Sequence, residues 1–182
     1  TMAEPEEMNA AWGKPWRLKQ LPMIPIEWKY RVVEKSAHQF NVIKKLFLDS
    51  ATTSIICATD AGREGEHIFR LIYKLTECKK PVERLWISSL TAEAIKDGLG
   101  KLKSSSAFDS LADAAAARAQ ADWVIGLNFT RAYTTINNQL CTIGRVQTPT
   151  LKLVVDRDLE IQNFVSEDYF ELVTRFQIPQ VT

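Results

Sequence analysis

Hydrophobic positions in the first hundred residues follow two patterns in turn. One face of a predicted helix is formed by Phe40, Ile43, Leu46 and Phe47. These positions recur at the spacing of an α-helix, and Ser36 precedes them as a candidate cap. Residues 53–59 then form a short β-prone run without polar alternation, which is typical of a strand buried on both faces. The pattern predicts a helix followed by a buried strand.

The same alternation continues to about residue 106. A second helix face is formed by Ile68, Phe69, Ile72 and Leu75. Residues 82–88 predict another strand, and Thr91 can cap a helix from residue 92 to about 102. Strands that alternate with helices are typical of a parallel sheet with flanking helices. The predicted fold class is therefore α/β, with a first domain over residues 1–106.

The pattern changes after the serines at 104–106. Residues 108–135 are rich in alanine and predict a long helix or two abutting helices. Residues 147–161 predict a further helix, with Pro149 in its first turn. Residues 168–178 predict a terminal strand. We therefore divide the remainder into a helical segment, 107–167, and the first strand of a further domain, 168–182.

Composition and charge exclude several classes of protein. The chain has 182 residues with 23 Lys and Arg against 22 Asp and Glu, so any nucleic-acid surface must be local. No apolar run reaches the ~18 residues of a membrane helix, and residues 1–13 predict a loose start rather than a signal peptide. Three dispersed cysteines argue against a zinc site or a disulfide framework. A cytoplasmic location is expected.

The acidic loop at residues 60–66 carries the most informative chemistry. Asp60, Glu64 and Glu66 supply three carboxylates directly after a predicted strand, where ligands gather in α/β sheets. Oxygen ligands of this kind suit Mg²⁺, which commonly takes one or two carboxylates together with waters and phosphate oxygens. The same acids could instead stabilise the start of the next helix through its dipole. The residues alone leave both interpretations open.

The stretch Thr59-Asp-Ala-Gly-Arg-Glu-Gly-Glu66 resembles the acidic Asp-x-Asp-Arg-Glu-Gly motif of the Toprim domain in type IA DNA topoisomerases. In that family the two aspartates and the glutamate surround a Mg²⁺ near the scissile phosphate. The resemblance implies catalytic and metal-binding roles for Asp60 and Glu64, and a DNA contact for Arg63. Gly62 stands in place of the second aspartate, which leaves Glu66 or water as the third ligand.

Later motifs resemble the topoisomerase III members of the same family, in the same order along the chain. They are the helix at residues 117–133, the segment Ile143-Gly-Arg-Val-Gln-Thr-Pro-Thr-Leu151, and its continuation at residues 154–161. Residues 21–28 and 41–45 resemble the segment before the acidic loop. Toprim primases and nucleases share only the acidic motif, so the later segments favour a topoisomerase.

Three residues of the long helix are candidate contacts for single-stranded DNA. Arg118 and Asp122 are four apart and can pair on one helix face, which by itself indicates no more than an exposed ion pair. The resemblance implies that Arg118 meets a phosphate while Asp122 orients it. Arg131, nine residues after Asp122, is predicted to share this face. Trp123, in the same helix, is predicted to pack in the core rather than to stack on bases.

A second group of candidate DNA contacts precedes the next helix. Arg145 follows a flexible glycine, while Gln147 and Thr148 lie at the predicted helix start, where free N–H groups attract phosphates. Alternatively, Thr148 is a plain helix cap before Pro149. The resemblance favours DNA contact.

The resemblance implies an enzyme that breaks and rejoins one DNA strand through a phosphotyrosine, with Mg²⁺ as cofactor and DNA, preferably single-stranded, as partner. None of the four tyrosines has the family's Tyr-Pro-Arg-Thr-Asp-like context, and the family's first Toprim strand should precede residue 1. We therefore expect this chain to be part of such an enzyme and inactive alone. A Toprim nuclease or primase and a non-catalytic single-strand-binding module remain as alternatives. The sequence does not identify protein partners such as a helicase.

Overall fold

The computed structural model describes residues 1–176. In chain order, its helices and strands are α1 (Pro5–Met8), α2 (Ala37–Leu48), β1 (Ile55–Cys57), α3 (Arg63–Thr76), β2 (Val82–Arg84), α4 (Ala92–Leu99), β3 (Lys103–Ser104), α5 (Asp109–Asn137) and α6 (Gln147–Gln162). Short 3-10 helices cover Ala10–Trp12, Leu18–Gln20, Glu34–Ser36 and Ser105–Phe108. The described residues contain no helix that is both long and apolar enough to cross a membrane.

The sheet has three strands in the order β1-β2-β3. β1 and β2 run parallel, with Ile55 opposite Val82 and Cys57 opposite Arg84. This confirms the predicted α/β class and the parallel connection through α3. β3 pairs with β2 in the antiparallel direction, which the sequence did not predict. The carboxyl ends of β1 and β2 therefore lie at the same edge of the sheet.

The core forms where α3 covers the sheet. Ile55, Cys57, Phe69 and Cys78 are buried together, and partly buried side chains pack against them. Phe69 also stacks on Tyr73, with ring centroids 5.9 Å apart. Burying an aromatic side chain of this kind contributes roughly 1.5–3 kcal/mol. Of the predicted face of α3, Phe69 alone is fully buried and anchors the helix, whereas Ile68 is exposed.

The N-terminal segment was predicted to be loose, and this is wrong. Met2 forms an antiparallel bridge with Tyr30, and Trp12 is buried. The rings of Trp12 and Trp28 lie 6.3 and 5.5 Å from that of Trp123 on α5. Apolar burial of these large rings against one helix outweighs the polar character of the segment. The prediction that Trp123 packs rather than stacks on bases agrees with this cluster.

The long helix α5 organises the rest of this unit. Asn128 holds the extended segment before α2, since it accepts from Met23 N at 2.6 Å and donates to Met23 O at 2.9 Å. After α5 ends, the chain returns along it: Thr130 Oγ1 accepts from Ile143 N at 2.9 Å, and Thr134 Oγ1 accepts from Cys141 N at 3.0 Å. This return brings the residues up to 145 beside the helix.

A second unit begins at Val146 and contains α6. The helix starts at Gln147, so Thr148 lies inside the first turn instead of at the cap position. No strand forms over residues 168–176, and the last residues of the predicted strand lie outside the described part of the chain. A strand needs a hydrogen-bonded neighbour, and residues 146–176 offer none. The domain boundaries proposed from sequence remain a prediction.

Two predicted caps have different outcomes. Thr91 Oγ1 accepts from Ala94 N at 3.3 Å, which confirms the cap of α4. Ser36 precedes α2 but its side chain makes no capping hydrogen bond. Ser36 ends a 3-10 turn and already has helical dihedral angles, so its hydroxyl is not in the extended geometry that a cap requires.

Candidate nucleic-acid interface beside the acidic loop

The acidic loop connects β1 to α3 in a compact turn. Gly62 N donates to Asp60 O at 2.9 Å, and Thr59 Oγ1 donates to Gly65 O at 2.8 Å. A Cβ atom on Gly65 would lie 2.2 Å from Asp60 O, closer than any side chain can come. Glycine at position 65 therefore allows the start of α3 to approach the end of β1.

Arg84, at the end of β2, fixes the backbone of this loop. Its guanidinium is 1% exposed and donates to the carbonyl oxygens of Cys57, Thr59 and Asp60 at 3.0, 2.7 and 2.6 Å. These carbonyls belong to three of the four residues that lead from β1 into the loop. One buried side chain thus sets the direction in which Asp60 leaves the sheet.

Glu66 balances the buried charge of Arg84. Its two carboxylate oxygens accept from Arg84 Nε at 3.1 Å and from Arg70 Nε at 2.8 Å. Arg70 also donates to Ser105 O at 2.8 Å and pairs with Asp109 at 2.9 Å. Buried charges are stable only when paired in this way. Glu66 was predicted as a metal ligand, but both of its oxygens are engaged by guanidinium groups, so we remove it from the candidate set.

The remaining carboxylates are Asp60 and Glu64, and both are exposed. Within residues 1–176, no group of three His, Cys, Asp or Glu side chains is placed to hold a metal ion. Mg²⁺ commonly takes only one or two protein carboxylates and completes its shell with water and phosphate oxygens. Asp60 and Glu64 supply the number of carboxylates that such a Mg²⁺ takes from a protein, and they do not make a closed protein site.

A cleft of about 250 Å³ opens between the start of α3 and the first half of α5. It is lined by Arg63, Glu64, His67, Ala115, Arg118, Ala119 and Asp122. Arg118 Nε lies 3.9 Å from Glu64 Oε1. The structure therefore brings the acidic loop and the predicted arginine of α5 to one place, although they are far apart in sequence.

Asp122 pairs with Arg145, whereas the predicted partner was Arg118. Arg145 donates from Nε to Oδ1 and from Nη2 to Oδ2, the latter at 3.2 Å. The hydrogen bond from Arg145, reinforced by the charges of Arg145 and Arg118, holds the pKa of the Asp122 carboxyl below its usual value. The chain's return along α5 delivers Arg145 to this carboxylate, which sequence spacing could not show. Arg145 is thus joined to the cleft through Asp122, which lines it together with Arg118.

Arg131 was predicted to extend this wall, and this is wrong. Nine residues are two and a half helical turns, so Arg131 lies on the opposite face of α5 from Asp122. Its side chain is buried, donates from Nη1 to Trp12 O at 2.5 Å, and lies 5.1 Å from the ring centroid of Trp16. Burial lowers the pKa of this guanidinium. Arg131 holds the N-terminal segment on the helix.

Arg63 and Arg145 are exposed, as a DNA contact requires. Gln147 and Thr148 are exposed in the first turn of α6, which belongs to the second unit. Sequence reasoning missed Arg84 and Arg70. Arg84 could have been found from its position inside a predicted buried strand. A charged side chain buried there needs a partner of opposite charge.

Two family models match adjacent parts of the chain. The Toprim domain model matches residues 3–90, and the DNA topoisomerase model matches residues 106–181. The first region contains the acidic loop and Arg84, and the second contains α5 and α6. The cleft therefore lies where the two matched regions meet.

Curated relatives carry the same combination over nearly the whole chain. DNA topoisomerase 3 of Staphylococcus epidermidis is 47% identical over 94% of the chain, and that of Staphylococcus haemolyticus is 47% identical over 96%. DNA topoisomerase 3 of Bacillus thuringiensis is 46% identical over 93% of the chain. The chain spans about a quarter (24%) of the length of the first two of these relatives. The chain thus matches a Toprim domain joined to part of a topoisomerase domain, and over most of its length it is similar to these DNA topoisomerase 3 proteins.

Proposed function

We propose that this chain supplies the acidic loop and one wall of the single-stranded DNA path of a type IA topoisomerase, an enzyme that breaks and rejoins one DNA strand through a phosphotyrosine. The observation that carries the proposal is the approach of Arg118 to Glu64 in the cleft between α3 and α5. Arg145 extends the same wall through Asp122.

The charges of the cleft suit a transient phosphate contact. Guanidinium groups bind phosphate oxygens in a bidentate manner. Arg118 and Arg145 are 38% and 42% exposed and are paired with exposed acids. Exposed ion pairs of this kind contribute only about 0–1 kcal/mol. A DNA phosphate can therefore replace the carboxylates as the partner of either arginine.

The acidic loop has a separate role in this proposal, which is to hold a metal ion. Asp60 and Glu64 would hold Mg²⁺, which when bound would neutralise charge on a DNA phosphate. The arginines need no metal to bind a phosphate. We therefore expect DNA binding by this chain to persist without Mg²⁺ and to survive Asp60→Ala.

The test is binding of a labelled single-stranded oligothymidylate between about 50 and 200 mM salt. The double variant Arg118→Ala/Arg145→Ala should lower the slope of log affinity against log salt by about 1.4, since each lost single-strand phosphate contact removes about 0.7. Arg31→Ala/Arg157→Ala is the matched control, because both arginines are exposed and paired with exposed glutamates. An equal change in both double variants would exclude the cleft as the binding site.

A Mg²⁺-dependent nuclease makes a different prediction. It would cleave the oligonucleotide without a covalent protein adduct and would lose this activity in Asp60→Ala. The match of residues 106–181 to the DNA topoisomerase model favours the topoisomerase. Cleavage of this kind by the purified chain would replace our proposal.

A further inference from the structure

A second concentration of positive charge lies in the N-terminal segment. Residues 9–26 contain three cations and no acidic residue, although the whole chain is nearly neutral. These cations are Lys14, Arg17 and Lys19, and all three are exposed. Within residues 1–176 none of them takes part in an ion pair. Their charge is therefore available to an anionic partner.

The loop that carries these cations has a fixed shape. Gln20 Nε2 donates to Ala11 O at 2.9 Å and to Gly13 O at 3.0 Å, while Gln20 Oε1 accepts from Arg17 N at 2.8 Å. Residues 10–15 together with Arg17, Lys19 and Gln20 line a cleft of about 470 Å³, and Trp16 lies beside it with Lys14 and Pro15. A surface that is already ordered loses little conformational entropy when a ligand binds.

An aromatic ring accompanies the cations. Lys14 Nζ lies 5.9 Å from the ring centroid of Trp16, which is partly exposed. The buried guanidinium of Arg131 lies 5.1 Å from the same centroid and holds the ring in place. Glu6 lies beside the loop, since its Cβ would lie 3.7 Å from a Cβ on Gly13, and Glu4 and Glu6 both act on the charge of Arg131. Two acids against three cations still leave an excess of positive charge.

This loop is separate from the cleft beside the acidic loop. It packs on α5 through Trp12, which contacts Trp123 and accepts a hydrogen bond from Arg131. Arg131 lies two and a half turns beyond Asp122, on the opposite face of the helix. The basic loop is therefore a second surface and does not continue the wall formed by Arg118 and Arg145.

We propose that Lys14, Arg17, Lys19 and Trp16 form a second contact surface for single-stranded DNA. The cations bind phosphates, and Trp16 stacks on a base. Positive grooves with aromatic side chains are the usual combination in surfaces that bind single strands without sequence preference. The inference deepens the proposed function and rests on the chain acting on single-stranded DNA.

The test compares two triple variants in the oligothymidylate assay. Lys14→Ala/Arg17→Ala/Lys19→Ala should lower the salt slope by about 2, since three single-strand phosphate contacts are lost. Lys79→Ala/Lys96→Ala/Lys101→Ala removes the same charge from exposed positions elsewhere and should leave the slope unchanged. Because the two surfaces are separate, the loss should add to that of Arg118→Ala/Arg145→Ala. Ultraviolet cross-linking of the unmodified chain to a halogenated oligonucleotide should yield an adduct on Trp16.

The outcomes separate the two proposals. Equal slopes for the two triple variants, with no adduct within residues 14–19, would overturn the basic loop as a DNA surface even if the cleft variant loses affinity. A loss in the loop variant with no effect of the cleft variant would support the loop and reject the cleft. Absence of single-strand binding by the unmodified chain would reject both. Thermal unfolding of each variant identifies any loss that comes from misfolding, and the cross-link then decides.

Discussion

Gly65 and Arg84 set the conformation of the acidic loop from two sides. Gly65 lets the start of α3 lie against the backbone of Asp60. Arg84 donates to three carbonyl groups at the entry of the loop and is neutralised by Glu66. Neither residue lines the cleft. They determine where Asp60 and Glu64 are placed.

A methyl group at position 65 should destabilise the fold. Its carbon would lie 2.2 Å from a backbone oxygen, so the loop must move. We expect Gly65→Ala to lower the free energy of unfolding by about 1–3 kcal/mol, as overpacking does elsewhere. Gly62→Ala is the control, because a Cβ there meets nothing within 4 Å, and its cost should stay below about 1 kcal/mol, since alanine caps a helix less well than glycine. Urea unfolding measures both, and equal costs would contradict the close approach.

The buried pair of Arg84 and Glu66 should be costly to break. Arg84→Met leaves the Glu66 carboxylate with one partner and removes a hydrogen bond from four carbonyl oxygens, of which that of Cys57 keeps Leu85 N as a donor. Removing one member of a buried pair costs about 3–5 kcal/mol. The exposed pair of Arg157 and Glu160 provides the control, and Arg157→Met should cost less than about 1 kcal/mol. Similar unfolding free energies for the two variants would show that Arg84 does not fix the loop.

At the scale of elements, α5 joins the parts of the first unit. Its first half lines the cleft, and its second half binds the N-terminal segment through Trp123, Asn128 and Arg131. The extended segment around Met23 has no strand beside it, so Asn128 satisfies its backbone. A buried backbone group needs such a partner.

Loss of the Asn128 amide should detach this segment. Asn128→Ala leaves the N–H and C=O of Met23 unpaired, and each unsatisfied buried group costs about 1–3 kcal/mol. Asn137→Ala removes an exposed side chain from the end of the same helix and should change stability by less than about 0.5 kcal/mol. Hydrogen exchange of the Met23 amide should rise in the first variant only; protection in both would contradict the role of Asn128.

The elements themselves were largely predictable from local pattern. The strand at Ile55–Cys57, the helices α3 to α6 and the cap at Thr91 follow from periodicity and short-range chemistry. The partners of charged residues were not predictable, because they depend on how distant parts of the chain come together in the fold. Arg145 reaches Asp122 only through the turn after α5, and Glu66 meets Arg84 only through the pairing of β1 with β2. Arg131 was predicted on the same face as Asp122, but nine residues are two and a half helical turns and place it on the opposite face.

At the scale of the molecule, the chain has two units and four tyrosines. Tyr73 is held by a hydrogen bond to Lys80 O at 2.8 Å and stacks on Phe69. Neither Tyr30, Tyr133 nor Tyr169 is followed by the Pro-Arg of the family's nucleophile. In the proposed function the acidic loop and the arginines position a DNA strand, and cleavage through a phosphotyrosine also requires that nucleophile.

We therefore expect no covalent complex between this chain and DNA. The purified chain is incubated with labelled single-stranded oligonucleotide and Mg²⁺, denatured, and separated on a gel. A type IA topoisomerase that carries the Tyr-Pro-Arg stretch serves as the positive control. A labelled adduct on this chain would identify one of its own tyrosines as a nucleophile.

Position 62 of the acidic loop has room for a third carboxylate. It is the N-cap of α3, has extended backbone that any residue adopts, and faces open space. Aspartate is among the best residues at such a position and would add a third carboxylate beside Asp60 and Glu64. Because the backbone already accepts that side chain, a single codon change could restore the family's full acidic motif without repacking. The fold therefore does not require glycine at position 62, and the number of carboxylates in the loop can change without a change in the fold.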